Sequence, residues 1–207
     1  VFYDEALTRV AALPGVRAAA LTFSLPIDGS NWNTGFIVAD KPTPPRTDLP
    51  SSAFVPVSVN YFETMGIRLT KGRLFTNADT ADSALVVVIN ERTARRMWPG
   101  ENPLGKRVKH GLPESDAPWR EVVGVVNDVK LSGVERETPM ETYVPIMQES
   151  PSSPRLAVRT AGNPLALAAA VERAIHEVDK DLPVSQVRTM DQLLGNSLAQ
   201  RRLTLTL

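Results

Sequence analysis

Leu85-Val-Val-Val-Ile-Asn90-Glu-Arg-Thr-Ala-Arg-Arg-Met-Trp98-Pro-Gly100-Glu-Asn-Pro-Leu-Gly105-Lys106-Arg107 is the stretch that decides how this 207-residue chain folds. Leu85 to Ile89 is apolar, largely β-branched and continuous rather than alternating. A run of that kind predicts a strand covered on both faces. Asn90 then offers a side-chain oxygen to the first free amides of a helix, Glu91 to Trp98. Ala94, Met97 and Trp98 fall on one side of that helix and Arg92, Arg95 and Arg96 on the other. Pro99-Gly100 closes it, and a basic strand, Arg107 to His110, follows. A buried strand, an amphipathic helix and a second strand in succession predict a mixed α+β fold.

Upstream, Phe2, Ala6, Val10 and Leu13 recur at helical spacing until Pro14-Gly15, so residues 2 to 13 read as a helix. Val16 to Leu25 reads as a strand. Pro26 to Pro50 is rich in Pro, Gly, Asn, Asp and Thr without periodicity and reads as a loop or crossing segment. Phe54 to Val59 alternates as a strand, Asn60 opens a short helix with Glu63 in its first turn and Gly66 as its stop, and Ile67 to Phe75 is extended. Downstream, Arg120 to Val126 and Tyr143 to Met147 read as strands, separated by loops at Gly111 to Pro118 and Leu131 to Pro139. Pro145 inside its run predicts an edge strand. Ser150 to Pro154 reads as a linker and Leu156 to Thr160 as a strand. Asn163-Pro164 signals a helix start, with Leu167, Val171, Ile175 and Val178 on one face. Val184 to Val187 reads as a strand, and Thr189-Met-Asp-Gln192 as a capping box opening a last helix that carries Met190, Leu194 and Leu198.

Leu13-Pro14-Gly15-Val16 and Leu182-Pro183-Val184 repeat one local pattern, a helix ending on proline before a strand. Each reads as the back half of a strand-helix-strand unit, and the two bracket residues 52 to 148. That spacing predicts a discontinuous domain with another inserted in it.

Twenty-three Lys plus Arg balance 23 Asp plus Glu. Zero net charge argues against nucleic acid as a partner, since phosphate-binding domains carry a basic excess. The absence of cysteine excludes thiolate catalysis, disulfides and cysteine-bound zinc. The longest apolar run, Ala84 to Ile89, is far short of the roughly 20 residues that cross a bilayer. Asp4 and Glu5 contradict a signal peptide over Val1 to Val10. A start inside a helical pattern and an end at Arg201-Arg202 before an apolar turn read as the ends of an excerpt from something longer.

Several constellations invite a chemical reading. Gly100 to Lys106 matches the phosphate-binding loop through its lysine, yet Arg107 replaces the magnesium-binding hydroxyl, Pro103 removes an amide donor, and a helix precedes where a strand should. A helix-to-strand turn is the favoured reading. His110 and His176 share no metal-ligand spacing, and His176 beside Glu172 and Glu177 suits a solvated face. Asp179 with Asp181 and Asp79 with Asp82 suit turns rather than a calcium loop. No G-x-S-x-G nucleophile elbow occurs. No catalytic, cofactor or metal residue is therefore assigned. Arg92, Arg95 and Arg96, with Lys106, Arg107 and Lys109 close behind, form a basic cluster suited to an acidic protein patch or lipid head groups, against the blander reading of a solvated helix face. Trp32, Trp98 and Trp119 read as isolated packing anchors.

Taken in order, Tyr61-Phe-Glu-Thr-Met-Gly-Ile-Arg-Leu-Thr-Lys-Gly-Arg73, Val87 through Arg107, Glu121-Val-Val-Gly-Val-Val-Asn-Asp-Val129 and Tyr143-Val-Pro145 resemble the extracytoplasmic core domain of MacB-like, FtsX-related ABC transporter permeases. The resemblance implies a two-lobed α+β fold. Residues 1–30 plus 152–200 would form a discontinuous, membrane-proximal, porter-like lobe of strand-helix-strand units, and 52–148 an inserted mixed α/β distal lobe. Residues 31–51 would be a crossing linker and 201–207 the start of the next transmembrane segment. It also implies a non-enzymatic periplasmic domain in the bacterial inner membrane that couples ATP hydrolysis to export or mechanotransmission. The implied partners are its own transmembrane segments, a second permease copy, a cytoplasmic ATPase and a periplasmic adaptor. A small-ligand or lipid-binding module using the crevice between lobes is the alternative.

Overall fold

The computed structural model describes residues 2–25, 32–129, 138–149 and 154–195. In chain order the elements are α1 (Phe2–Ala11), β1 (Val16–Thr22), β2 (Asn33–Val38), β3 (Ser51–Val57), α2 (Tyr61–Met65), β4 (Leu69–Gly72), β5 (Val86–Asn90), α3 (Glu91–Met97), β6 (Arg107–His110), β7 (Trp119–Val126), β8 (Glu141–Pro145), β9 (Arg155–Thr160) and α4 (Ala168–His176). Short 3-10 turns stand at Arg46–Asp48, Ile146–Gln148 and Pro164–Leu167. The α+β class read from the sequence holds.

Local signals explain most boundaries. Every residue of β5 is buried, as its unbroken apolar run requires. Asn90 caps α3 by accepting from the Thr93 amide at 3.0 Å. Gly66 ends α2 in the left-handed conformation, φ 71°, which costs a glycine nothing. Asn163 caps the turn leading into α4 by accepting from the Leu165 amide. The Thr189–Gln192 box is reciprocal: the Gln192 amide donates to Thr189 Oγ1 and the Thr189 amide to Gln192 Oε1.

The nine strands among the described residues all belong to one hydrogen-bonded sheet, and six of them close into a ring. β2 pairs with β6, β6 with β7, β7 with β5, β5 with β8 and β8 with β3. β3 then returns to β2 through Asn33↔Ala53, Thr34↔Ser52 and Gly35↔Ser51. Side chains alternate across a strand, so the face that gathers residues from all six strands is the inside. That face carries Phe36, Val38, Phe54, Val87, Ile89, Val108, Val122, Val125 and Val144, with Trp98 and Met140 packed among them. The opposite face of β3, β5 and β8 carries Ala53, Val55, Val57, Val86, Val88 and Tyr143, covered by Tyr61 and Phe62 of α2. β1 and β9 form a separate antiparallel pair from Val16↔Thr160 to Thr22↔Arg155. Ala19 of that pair packs with Val10 of α1 and Ala174 and Ile175 of α4. β1 meets β3 in register at Thr22↔Val57, and α2 braces the join, with Ala20 in its cluster and Arg159 Nε donating to the Thr64 carbonyl at 2.7 Å.

Three sequence readings are corrected. The stretch Pro26 to Pro50, read as loop, contains β2 and a 3-10 turn. Its strand signal is confined to Phe36-Ile-Val38, too short to stand out among turn formers. Pro145 does not mark an edge, because β8 lies between β3 and β5. It is the last residue of β8, where its missing N–H interrupts no ladder. Val184 to Val187 forms no strand. Leu198 and residues 201–207 lie outside the described residues, as do most of the loop Leu131 to Pro139 and of the linker Ser150 to Pro154.

Gly124 in β7 is one place where the ring tolerates no side chain. A Cβ there would lie 2.1 Å from the Arg73 carbonyl oxygen and 3.3 Å from Val88 Cγ2. Gly124→Ala is expected to lower stability in a urea titration by about 1–3 kcal/mol. Gly162→Ala, where nothing lies within 4 Å, is the control and should change stability by less than about 0.5 kcal/mol.

Candidate interaction site

The Gly100–Lys106 stretch is a turn between α3 and β6, the opposite of the strand-to-helix context a phosphate loop needs. Gly100 and Gly105 take φ of 77° and 79°. Lys106 Nζ is bound to protein carboxylates, 2.5 Å from Asp40 Oδ2 and 3.4 Å from Glu101 Oε2. Asp40 also accepts from the Trp98 indole at 3.2 Å. The Lys106 ammonium, ahead of the indole hydrogen bond, holds the Asp40 carboxyl below its usual range. The sequence reading of this motif as a structural turn agrees with that geometry.

The two histidines lie apart. His176 is half-buried on α4, its Nε2 3.1 Å from the Leu182 carbonyl oxygen, so it is less solvated than its neighbours in sequence suggest. His110 is buried inside the ring against the edges of Phe36 and Phe54. Its Nε2 lies 2.7 Å from Thr142 Oγ1, which in turn donates to the Ala53 carbonyl at 2.8 Å. Burial, with the nearby positive charge of Arg120 as a second cause, pushes the His110 imidazole down to about 3. Arg120 is itself buried and reaches Gln148 and Glu149 just after β8. Sequence alone does not single out this internal polar group, since only ring closure brings β6, β7 and β8 residues together.

The acidic pairs serve local structure. Asp79 is buried, accepting from the Arg73 guanidinium at 2.8 Å on both oxygens and from the Thr76 amide. Arg73 is the main reason its carboxyl is held below the usual range. Asp179 Oδ1 accepts from the Asp181 amide, an Asx turn. Trp98 is a packing anchor as expected, whereas Trp32 and Trp119 are exposed.

The six-residue basic cluster is divided by the fold. Lys109 is buried, donating to the carbonyls of Pro113 and Ser115 and lying over the Trp119 ring. Lys106 is engaged as above. Arg95 pairs with Asp128 at 2.5 Å and Glu91 at 3.5 Å. Arg92 and Arg96 instead line a surface cleft of about 260 Å³ with Asn33, Ser51, Thr138, Pro139 and Met140. A second, apolar cavity of about 170 Å³ lies against Phe36, Val38, Pro42, Pro44 and Met97. Among the described residues no group of three or more His, Asp or Glu side chains could hold a metal, and no helix is long and apolar enough to cross a membrane. The polar cleft over α3 is thus the arrangement best suited to an anionic partner.

A family model described as the MacB-like periplasmic core domain matches residues 2–178. The macrolide export ATP-binding/permease protein MacB of Aggregatibacter actinomycetemcomitans is 39% identical over 77 residues, 37% of this chain and 11% of that protein. The probable syringafactin export ATP-binding/permease protein SyfD of Pseudomonas syringae pv. tomato is 40% identical over 76 residues, 36% of this chain and 10% of its own length. The matches therefore span about a tenth of these relatives. The crystal structure of the periplasmic region of MacB from Actinobacillus actinomycetemcomitans has a TM-score of 0.58 at 18% identity, covering 84% of this chain and 73% of that one. The extracellular domain of the noncanonic ABC-type transporter YknZ from Gram-positive bacteria has a TM-score of 0.55 at 15% identity, covering 86% and 82%.

Proposed function

The chain belongs to the MacB-like periplasmic core domain family, and from that premise we propose that it couples cytoplasmic ATP hydrolysis to export or mechanotransmission outside the bacterial inner membrane. Its part in this is conformational rather than chemical. In this reading, residues 1–30 with 152–200 form a membrane-proximal porter-like lobe and residues 52–148, joined by β2, a distal lobe. The observation that carries it is a join confined to the last residues of β1, the end of β3 and α2. Among the described residues, α1, α4 and the β1–β9 pair share one apolar cluster and the six-stranded ring holds another, and they are linked by the Thr22↔Val57 pairing, by hydrogen bonds of Leu21 and Phe23 with Ser58 and Pro56, and by the α2 brace. Packed parts joined along one such seam suit hinge motion, the usual means by which lobes transmit work.

The partners in this reading are the permease's own transmembrane segments, a second permease copy, the ATPase and a periplasmic adaptor. The relatives' names join ATP binding and permease in one protein, which supports an ATPase acting from outside this domain. The alternative of a lipid or small ligand held between the lobes gains nothing from the two cavities, which both lie on the ring and α3.

The test is a spin-label distance between Glu172 on α4 and Lys71 on β4, both exposed, in the full-length permease. Coupling predicts that the distance distribution shifts between nucleotide-free and vanadate-trapped states. Identical distributions in a permease that still hydrolyses ATP would overturn it.

A further inference from the structure

We infer that the polar cleft over α3 is a docking point for the carboxylate of a glutamate side chain on a partner protein. Arg92 and Arg96 stand one turn apart on α3. Facing them are Asn33 at the start of β2, Ser51 at the start of β3, and Thr138, Pro139 and Met140 leading into β8. The cleft exists because the ring closes there, bringing the starts of β2 and β3 beside α3.

The chemistry of the walls selects the ligand. A guanidinium offers a planar fork that matches a carboxylate with two parallel hydrogen bonds. Arg95 is neutralised by Asp128 and Glu91, whereas Arg96 is exposed and forms no ion pair with a described residue. Arg92 has interactions of its own, so Arg96 makes the primary contact. Asn33, Ser51 and Thr138 supply amide and hydroxyl donors for the oxygen atoms that Arg96 leaves.

Local charge balance favours a monoanion over phosphate. Glu91 and Asp128 both lie against Arg95, and Arg92 has interactions of its own, so the single guanidinium of Arg96 is the charge left for a ligand to meet. A dianion would overshoot it. The cleft, at about 260 Å³, also has room for an aliphatic stem against the Pro139 ring and Met140. A carboxylate carried on two methylenes satisfies both the charge and the shape.

This inference rests on the docking part of the proposed function and deepens it, and its test does not involve the distance measurement above. The full chain, labelled for arginine Nε–H detection by NMR, is titrated with N-acetyl-glutamate amide and, separately, with inorganic phosphate. The expected result is a saturable shift of the Arg96 signal with a Kd of about 1–10 mM for the glutamate probe, as suits one isolated contact. Arg96→Met should abolish the shift, Arg107→Met, at an exposed position outside the cleft, should preserve it, and phosphate should bind at least about threefold more weakly. Absence of saturation by about 100 mM, an unchanged response in Arg96→Met, or tighter binding of phosphate would each overturn the inference. If Arg96→Met does not fold, Arg96→Lys takes its place, with a loss of at least about threefold expected because the bidentate fork is gone.

Discussion

Replacing Trp98 by alanine is expected to remove about 3–5 kcal/mol of folding stability and lower the melting temperature by on the order of 10 °C. Trp98 is 1% exposed and is among the largest fully buried side chains. It follows directly on α3 and packs into the interior of the six-stranded ring with Phe36, Val108 and Val122. A ring of strands around such a plug relaxes poorly, so the cavity left by truncation stays open and its cost adds to the lost transfer free energy. The indole N–H adds a hydrogen bond to Asp40, but Asp40 retains Lys106 and is not orphaned by the change. Trp98→Phe should therefore cost much less than Trp98→Ala, since it keeps most of the buried volume. Urea titrations with a common slope would check both. A loss below about 1 kcal/mol for the alanine variant would mean that the ring does not depend on its plug.

The second large effect is a pH dependence with opposite contributions from two side chains. His110 is held neutral by burial, ahead of the Arg120 charge, and is pushed down to about 3. The unfolded chain protonates this histidine near 6.5 while the folded chain does not, so its contribution to stability is lost as pH falls below that value. Glu141 behaves in the reverse sense. Burial is the chief reason, with Asp128 adding to it and the Tyr143 hydroxyl opposing it, that its carboxyl is pushed up to about 7. The folded chain keeps this proton up to about 7 and the unfolded chain loses it near 4.5, so stability is lost as pH rises through that window. Each residue carries about 3 kcal/mol between about pH 4.5 and pH 8, and the two nearly cancel. The unmodified chain should thus show a flat stability profile over that range. His110→Gln should become more stable on acidification from about pH 8 to 4.5, and Glu141→Gln less stable, by about 3 kcal/mol each. Chemical denaturation across that range checks both signs, and parallel profiles for the two variants would refute the assignment.

What the sequence discloses is local. The Asn90 and Asn163 caps, the Gly66 stop and the Thr189–Gln192 box each act within a few neighbouring residues, and each is in place. The uniform burial of β5 is likewise written in its own run of valines. Partner choice is hidden, because it depends on residues far apart in the chain. β2 escapes a reading by periodicity, and the pairing of β2 with β3 that closes the ring cannot be read without it. The same blindness makes Pro145 look like an edge marker, since nothing near it reveals that it terminates an inner strand. The basic cluster is visible as composition, but its division into engaged Arg95, Lys106 and Lys109 and cleft-lining Arg92 and Arg96 follows from where Asp128, Asp40 and Pro113 arrive.

The pairing of Thr22 with Arg155 gives the chain a modular grammar. β1 leaves for the ring at the residue where β9 comes back from it, so residues 23 to 154 depart and return across a single strand spacing. Phe23, the first residue to leave, accepts through its carbonyl from the Arg155 guanidinium, which ties the point of departure to the point of return. To the β1–β9 pair, that interval stands where the turn of a hairpin would, except that the end of β3 and α2 pack back on the pair. Insertions are tolerated where their two ends lie close together. The ring can accordingly be exchanged, enlarged or trimmed in evolution without disturbing the register of the strands that carry it.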